Sequence, residues 1–256
     1  MLKSHYFPTV ERAQVVRAAV PGIRAFGSVS LNHSVGGINP TLVHVAGKAG
    51  ARVVWMPTVD AENERSAREP ASNGPAPFWA EVQRELLARG VAPEPITILD
   101  ATGRLKRQVV SCLELIAEYD MVLATGHLSG AEISVLVEEA VRLGVRRILV
   151  THALFPAESL SVEEQRRLAA MGAFIEHCYT TFYTGKAPWE LLYESIRAVG
   201  PERSVISTNL GQKVNPPIAE GFADFAQRLL DAGFSPDEVR TMAVTNPRWL
   251  VDPEHD

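Results

Sequence analysis

Apolar and polar positions along the chain fall into two alternating rhythms. Short runs rich in β-branched residues, IRAFGSVSL (23–31), ARVVWMPT (51–58), DMVLATG (120–126), RRILVT (146–151), AFIEHCY (173–179) and SVISTN (204–209), are separated by longer stretches with helical spacing. Strand-length runs that alternate with helices predict a parallel sheet, because the chain must cross back before each new strand. MLKSH (1–5) reads as the tail of one more strand. The helix starts carry their own marks. Ser129-Gly130-Ala131-Glu132 and Ser161-Val162-Glu163-Glu164 have the Ser-x-x-Glu spacing in which hydroxyl and carboxylate take up otherwise unpaired backbone N–H groups. These two helices are expected to close at Gly144 and Gly172. Ser235-Pro236-Asp237-Glu238 adds proline at the first helical position, and Asn39-Pro40 and Asn215-Pro216 predict two further caps.

One segment breaks the rhythm. From Asp60 to Pro95 the chain is rich in proline and charge, with a helix predicted over 78–89. It exceeds an ordinary loop and reads as an excursion, reaching about 60–105 with ITILD (96–100) and the turn at Gly103. A helix over 106–118 follows.

The polar ends of three successive strands, His127, His152 and His177, fall at equal steps of 25 residues. In a barrel of parallel strands the C-terminal strand ends converge on one mouth, where catalytic groups sit. His127 and His152 each terminate an apolar strand after a small residue, and two imidazoles on neighbouring strand ends can share one divalent ion. At the end of the last strand a metal hydrolase would use a carboxylate to accept a proton from metal-bound water. Asn209 stands there, and an amide can orient a water but cannot act as a base.

Composition narrows the setting. With 256 residues and 46% hydrophobic content the chain can bury the core of one barrel domain spanning 1–256. A formal charge of −5 with interspersed Lys and Arg argues against nucleic acid as a partner. Cys112 and Cys178 lie far apart without metal-site or disulfide spacing, and no apolar run reaches about 18 residues, so a cytoplasmic protein without a membrane segment is expected.

LATGHLS, LVTH, ISTNLGQ and the closing TMAVTNPRWL resemble the second half of an amidohydrolase-superfamily barrel. LKSHYFPT, LNHSVGGINP, VVWMPTVDAEN and the GHLS segment are similar to a group of uncharacterised amidohydrolase-like bacterial proteins, and the similarity spans almost the whole chain. The resemblance implies an α/β fold of the (β/α)8 TIM-barrel type, and metal ligands drawn from an HxH pair on strand one, histidines on strands five and six and an Asp on strand eight. His127 and His152 match strands five and six, and Asn209 takes the place of the Asp. No HxH occurs, and MLKSHYF corresponds to strand two, so the first βα unit, about 30 residues, is expected to be missing through a start assigned at an internal codon. The implied cofactor is a divalent metal ion, zinc first, with manganese or iron as alternatives.

Other candidates follow from position. Lys3 and His5 alternate onto one face of their strand as substrate contacts, His5 nearer the mouth and able to assist catalysis. Asn32 follows strand three as a candidate substrate contact, and SVGGINP there suits either an anion-binding turn or a helix cap. Glu176 and His177 cannot both face inward; Glu176 would bind substrate and His177 assist catalysis. The expected function is metal-dependent hydrolysis of an amide, ester or other C–N bond in a small molecule by a homo-oligomer. A degenerate barrel that binds a metabolite or partner is the alternative, and decarboxylase or lyase chemistry a third.

Overall fold

Six of the seven strand-like runs become strands, each shorter than the apolar run that predicts it. The computed structural model describes residues 1–66, 78–212 and 214–252, in two compact units, Met1–Ile148 and Leu149–Asp256. Part of the predicted excursion, 67–77, lies outside the described residues.

The first unit holds α1 (Val10–Ala19), β1 (Ser28–Ser30), α2 (Pro40–Lys48), β2 (Val53–Trp55), α3 (Glu62–Ser66), α4 (Phe78–Ala88), α5 (Arg107–Glu118), β3 (Val122–Ala124) and α6 (Gly130–Arg142). Strands β1, β2 and β3 pair in parallel, with Ser28, Val53 and Val122 in register. β4 (Arg147–Val150) straddles the boundary. The second unit continues with α7 (Val162–Ala170), β5 (Phe174–Cys178), α8 (Tyr179–Tyr183), α9 (Trp189–Val199), β6 (Ser204–Ser207), α10 (Ile218–Asp231), α11 (Pro236–Arg240) and α12 (Asn246–Val251). Its pairings are also parallel, with Val150 opposite Ile175 and His177 opposite Ile206. The fold is mixed α/β, and its six strands follow chain order in one sheet. Every residue of β1 to β5 is buried, as strands covered on both faces require. No helix among the described residues is long and apolar enough to cross a membrane.

All three Ser-x-x-Glu boxes form, at Ser129, Ser161 and Ser235. Asn39 caps α2 through the Leu42 N–H. Glu132 does double duty: Oε2 accepts from Ser129, while Oε1 accepts the Ile98 N–H at 3.2 Å and ties the ITILD segment to the start of α6. Ser129→Ala is expected to cost about 1 kcal/mol, read as a lower urea midpoint with unchanged slope.

Two expectations are corrected, for Asn215 and for MLKSH. Asn215 does not cap α10, which starts at Ile218 after Pro217, because the second proline lets the extended chain run directly into the helix. Within the excursion, ITILD forms isolated bridges among the described residues, Ala61 with Ile96 and Leu99 with Leu105. MLKSH lies along β1 without becoming a strand, because side chains take the carbonyls a backbone ladder would use. Ser28 Oγ donates to Leu2 O (2.8 Å), Ser30 Oγ to Ser4 O (2.9 Å) and Asn32 Nδ2 to His5 O (2.8 Å). Residues 28, 30 and 32 share one face by strand alternation, so this seam is written into SVSLN.

Candidate functional site

In the first unit, β3 ends at Ala124 and the chain turns sharply at Gly126, whose φ of +63° places it in the left-handed region. A Cβ there would press into the carbonyl oxygens of Met56 and Pro57, so only glycine fits. The His127 N–H then donates to Pro57 O at 2.9 Å, which fixes the imidazole beside the end of β2. Immediately after β2, α3 brings Glu64, whose Oε2 lies 3.0 Å from His127 Nδ1. Both side chains are about nine-tenths buried. Asn63 Nδ2 donates to His127 O at 3.3 Å. A carboxylate on Nδ1 sets the tautomer and directs Nε2 as the ligand nitrogen, the usual arrangement behind a metal-binding imidazole.

His5 packs against this group, with ring centres 5.9 Å from His127 and 6.2 Å from Trp79 of α4. Its Nδ1 lies 2.8 Å from Thr58 Oγ1. Lys3, by contrast, holds its ammonium 4.2 Å from the Trp55 ring centre, a cation–π contact. Asn32 is wholly buried and spends its whole amide internally: Nδ2 donates to His5 O and Thr58 Oγ1, and Oδ1 accepts from the Thr58 and Asp60 N–H groups. Two donors and two acceptors exhaust an amide, so the Asn32 side chain ties the 1–5 segment to the chain after β2. Of the two readings of SVGGINP, the structure forms the helix cap at Asn39.

The second unit places His152 just past β4, with φ +27°, a conformation that costs a non-glycine residue about 1–3 kcal/mol. Glu176 holds that turn. Its Oε2 accepts the His152 N–H at 3.1 Å and its Oε1 accepts from Ser207 Oγ at 2.9 Å. His152 Nδ1 lies 3.1 Å from Oε2 of Glu158, whose carboxyl side chain is completely buried. Neither Glu158 oxygen accepts a hydrogen bond among the described residues. A buried carboxylate without donors is expensive unless a cation or proton joins it. Two ligand atoms on one tetrahedral ion stand about 3.3 Å apart, so the His152–Glu158 separation suits a shared cation.

His177 and Glu176 separate as alternation requires. His177 pairs with Ile206, which packs into the buried cluster of Leu192, Ile196, Phe225, Leu229 and Met242, while Glu176 shares the opposite face with Ser207. His177 is fully buried with neither ring nitrogen hydrogen-bonded among the described residues, and burial pushes it down from 6.5 to about 3. It stays neutral in the fold, which fits a core residue better than the proton carrier expected from the sequence. Because the unfolded ring takes up a proton near 6.5, this contribution is fully present above that value and is lost as the pH falls toward 3. His177→Leu is expected to flatten the fall in melting temperature between about pH 6.5 and pH 4; an unchanged slope would contradict the burial argument.

Asn209 follows β6, is exposed, and has φ +51°. Asparagine tolerates this left-handed turn better than most residues. Glu64 and Glu158 are the residues that sequence reasoning missed. Their signals were weak: a glutamate inside the charged TVDAENE run, and another six positions beyond His152 in HALFPAE.

Solved structures with a similar fold are named as a dipeptidase and as amidohydrolases. The probable dipeptidase PvdM from Pseudomonas aeruginosa superposes with a TM-score of 0.59 at 10% identity, covering 94% of this chain and 76% of that one. An amidohydrolase from Pseudomonas aeruginosa gives 0.56 at 14% identity, over 88% and 70% of the two chains. An amidohydrolase from Burkholderia multivorans gives 0.53 at 12% identity, over 94% and 78%. No curated protein matches the chain. The resemblance to amidohydrolases is therefore one of fold, while the family model that matches residues 1–176 is that of DUF6282, and the chain belongs to this family of unknown function.

Proposed function

We propose that the protein is a metal-dependent hydrolase acting on an amide, ester or other C–N bond of a small molecule, on a barrel-like α/β scaffold. His127 and His152 would serve as ligands of a divalent cation, zinc first, with Glu158 beside His152. The observation that carries this reading is Glu158, a buried carboxylate 3.1 Å from His152 Nδ1 that accepts no hydrogen bond among the described residues. The fold shared with dipeptidases and amidohydrolases agrees with it. When bound, such an ion makes hydroxide available near neutral pH. Glu64 would orient the His127 ring through Nδ1, Glu176 would hold the strained backbone of His152, and Trp79 beside His5 would form an apolar wall.

The test is turnover of dipeptides and N-acyl amino acids after chelation and reloading with zinc, manganese or iron. Hydrolysis that requires one of these ions supports the reading. A second reading, a barrel that binds a metabolite without turning it over, is favoured by the exposed, turn-forming Asn209 in place of a carboxylate. Metal uptake without turnover of any of these substrates would favour it.

A further inference from the structure

The hydrogen bonds around Thr58 have a determined direction. Asn32 Oδ1 accepts two backbone N–H groups, from Thr58 at 2.9 Å and from Asp60 at 3.3 Å. Only oxygen can accept them, so the amide cannot be flipped and its nitrogen must be the atom facing Thr58 Oγ1 at 2.7 Å. Thr58 Oγ1 is therefore an acceptor toward Asn32. Thr58 is completely buried, and a buried hydroxyl hydrogen needs a partner of its own. The acceptor at hand is His5 Nδ1, 2.8 Å away. The chain of donors thus runs from Asn32 Nδ2 to Thr58 Oγ1 to His5 Nδ1.

We propose that Asn32 and Thr58 lock His5 in its Nε2–H tautomer, so that His5 serves as a hydrogen-bond donor to a substrate oxygen and not as a metal ligand. A ring that accepts at Nδ1 while neutral carries its proton on Nε2. The ring stands 5.9 Å from His127, the candidate metal-binding imidazole, and 6.2 Å from the Trp79 ring. A donor there suits a carbonyl or carboxylate oxygen, whose developing negative charge it would stabilise. Thr58 and Asn32 are positioning residues, acting through His5. The donor role toward a scissile group rests on the hydrolase reading; the tautomer does not.

The experiment is nitrogen-detected NMR of the full chain with 15N-labelled histidine at about pH 8, well above the ordinary histidine range. The His5 signals are identified by their absence in His5→Gln. Wild type is expected to show His5 with Nδ1 bare and Nε2 protonated, unchanged when zinc is added. Thr58→Val should give a mixture of tautomers, and Thr58→Ser should restore the wild-type pattern. Acetate, the oxygen probe, should shift the Nε2–H signal in wild type and less in Thr58→Val. A proton on Nδ1 in wild type would overturn the lock, and so would a Thr58→Val tautomer identical to wild type. Loss of the Nε2 proton on adding zinc would make His5 a ligand, and absence of any acetate shift would remove the donor role. If Thr58→Val does not fold, the wild-type tautomer and its response to zinc still decide the proposal.

Discussion

Gly126→Ala is expected to destabilise the protein by about 3 kcal/mol or more, enough to unfold a marginal domain. Two costs add. A left-handed backbone costs a residue with a Cβ roughly 1–2 kcal/mol, and the new methyl would meet the carbonyl oxygens of Met56 and Pro57, backbone atoms that cannot swing aside. Gly144 provides the control. It has φ +81° beyond the end of α6, and a Cβ there meets nothing within 4 Å. Gly144→Ala should therefore cost only the conformational part, about 1–2 kcal/mol. Urea unfolding of both variants separates the terms. Equal losses would show that the close approach of the His127 turn to β2 does not exist in solution.

The other large effect concerns chemistry. On the proposed hydrolase reading, His127→Ala and His152→Ala should each abolish metal-dependent turnover, because the ion such ligands would hold is what would make hydroxide available. Glu64→Gln should be milder, a loss of about 10–100-fold in metal affinity, since it keeps the hydrogen bond to Nδ1 and removes only the charge behind it. Competition with a coloured chelator gives the affinities. If Glu64→Gln bound metal as tightly as wild type, the carboxylate would have no part in preparing the His127 ring.

The architecture was legible because local signals agreed with one another. Ser129, Ser161 and Ser235 each formed the cap their spacing predicted, and the six apolar runs became parallel strands. What misled was chemistry that uses side chains where a pattern suggests backbone. MLKSH has strand alternation, yet Ser28, Ser30 and Asn32 occupy its carbonyls. The histidines at equal spacing looked equivalent, but strand alternation sends His177 to the face that carries Ile206, where its ring stays neutral. Asn32 was legible as a polar residue at a strand end, while its role as a junction between Thr58 and His5 depends on contacts 26 and 27 residues away. Glu64 and Glu158 were invisible for a related reason. A glutamate in a charged loop is ordinarily solvated, and only tertiary folding makes these two buried partners of imidazoles.

The central proposal is that His127 and His152 are metal ligands, with Glu158 beside His152, and metal analysis after zinc loading and exhaustive dialysis tests it most directly. Wild type should retain about one zinc per chain, with retention lost in His127→Ala and His152→Ala and sharply weakened in Glu158→Gln. Wild-type protein that retains no metal, or variants that retain it undiminished, would contradict the account.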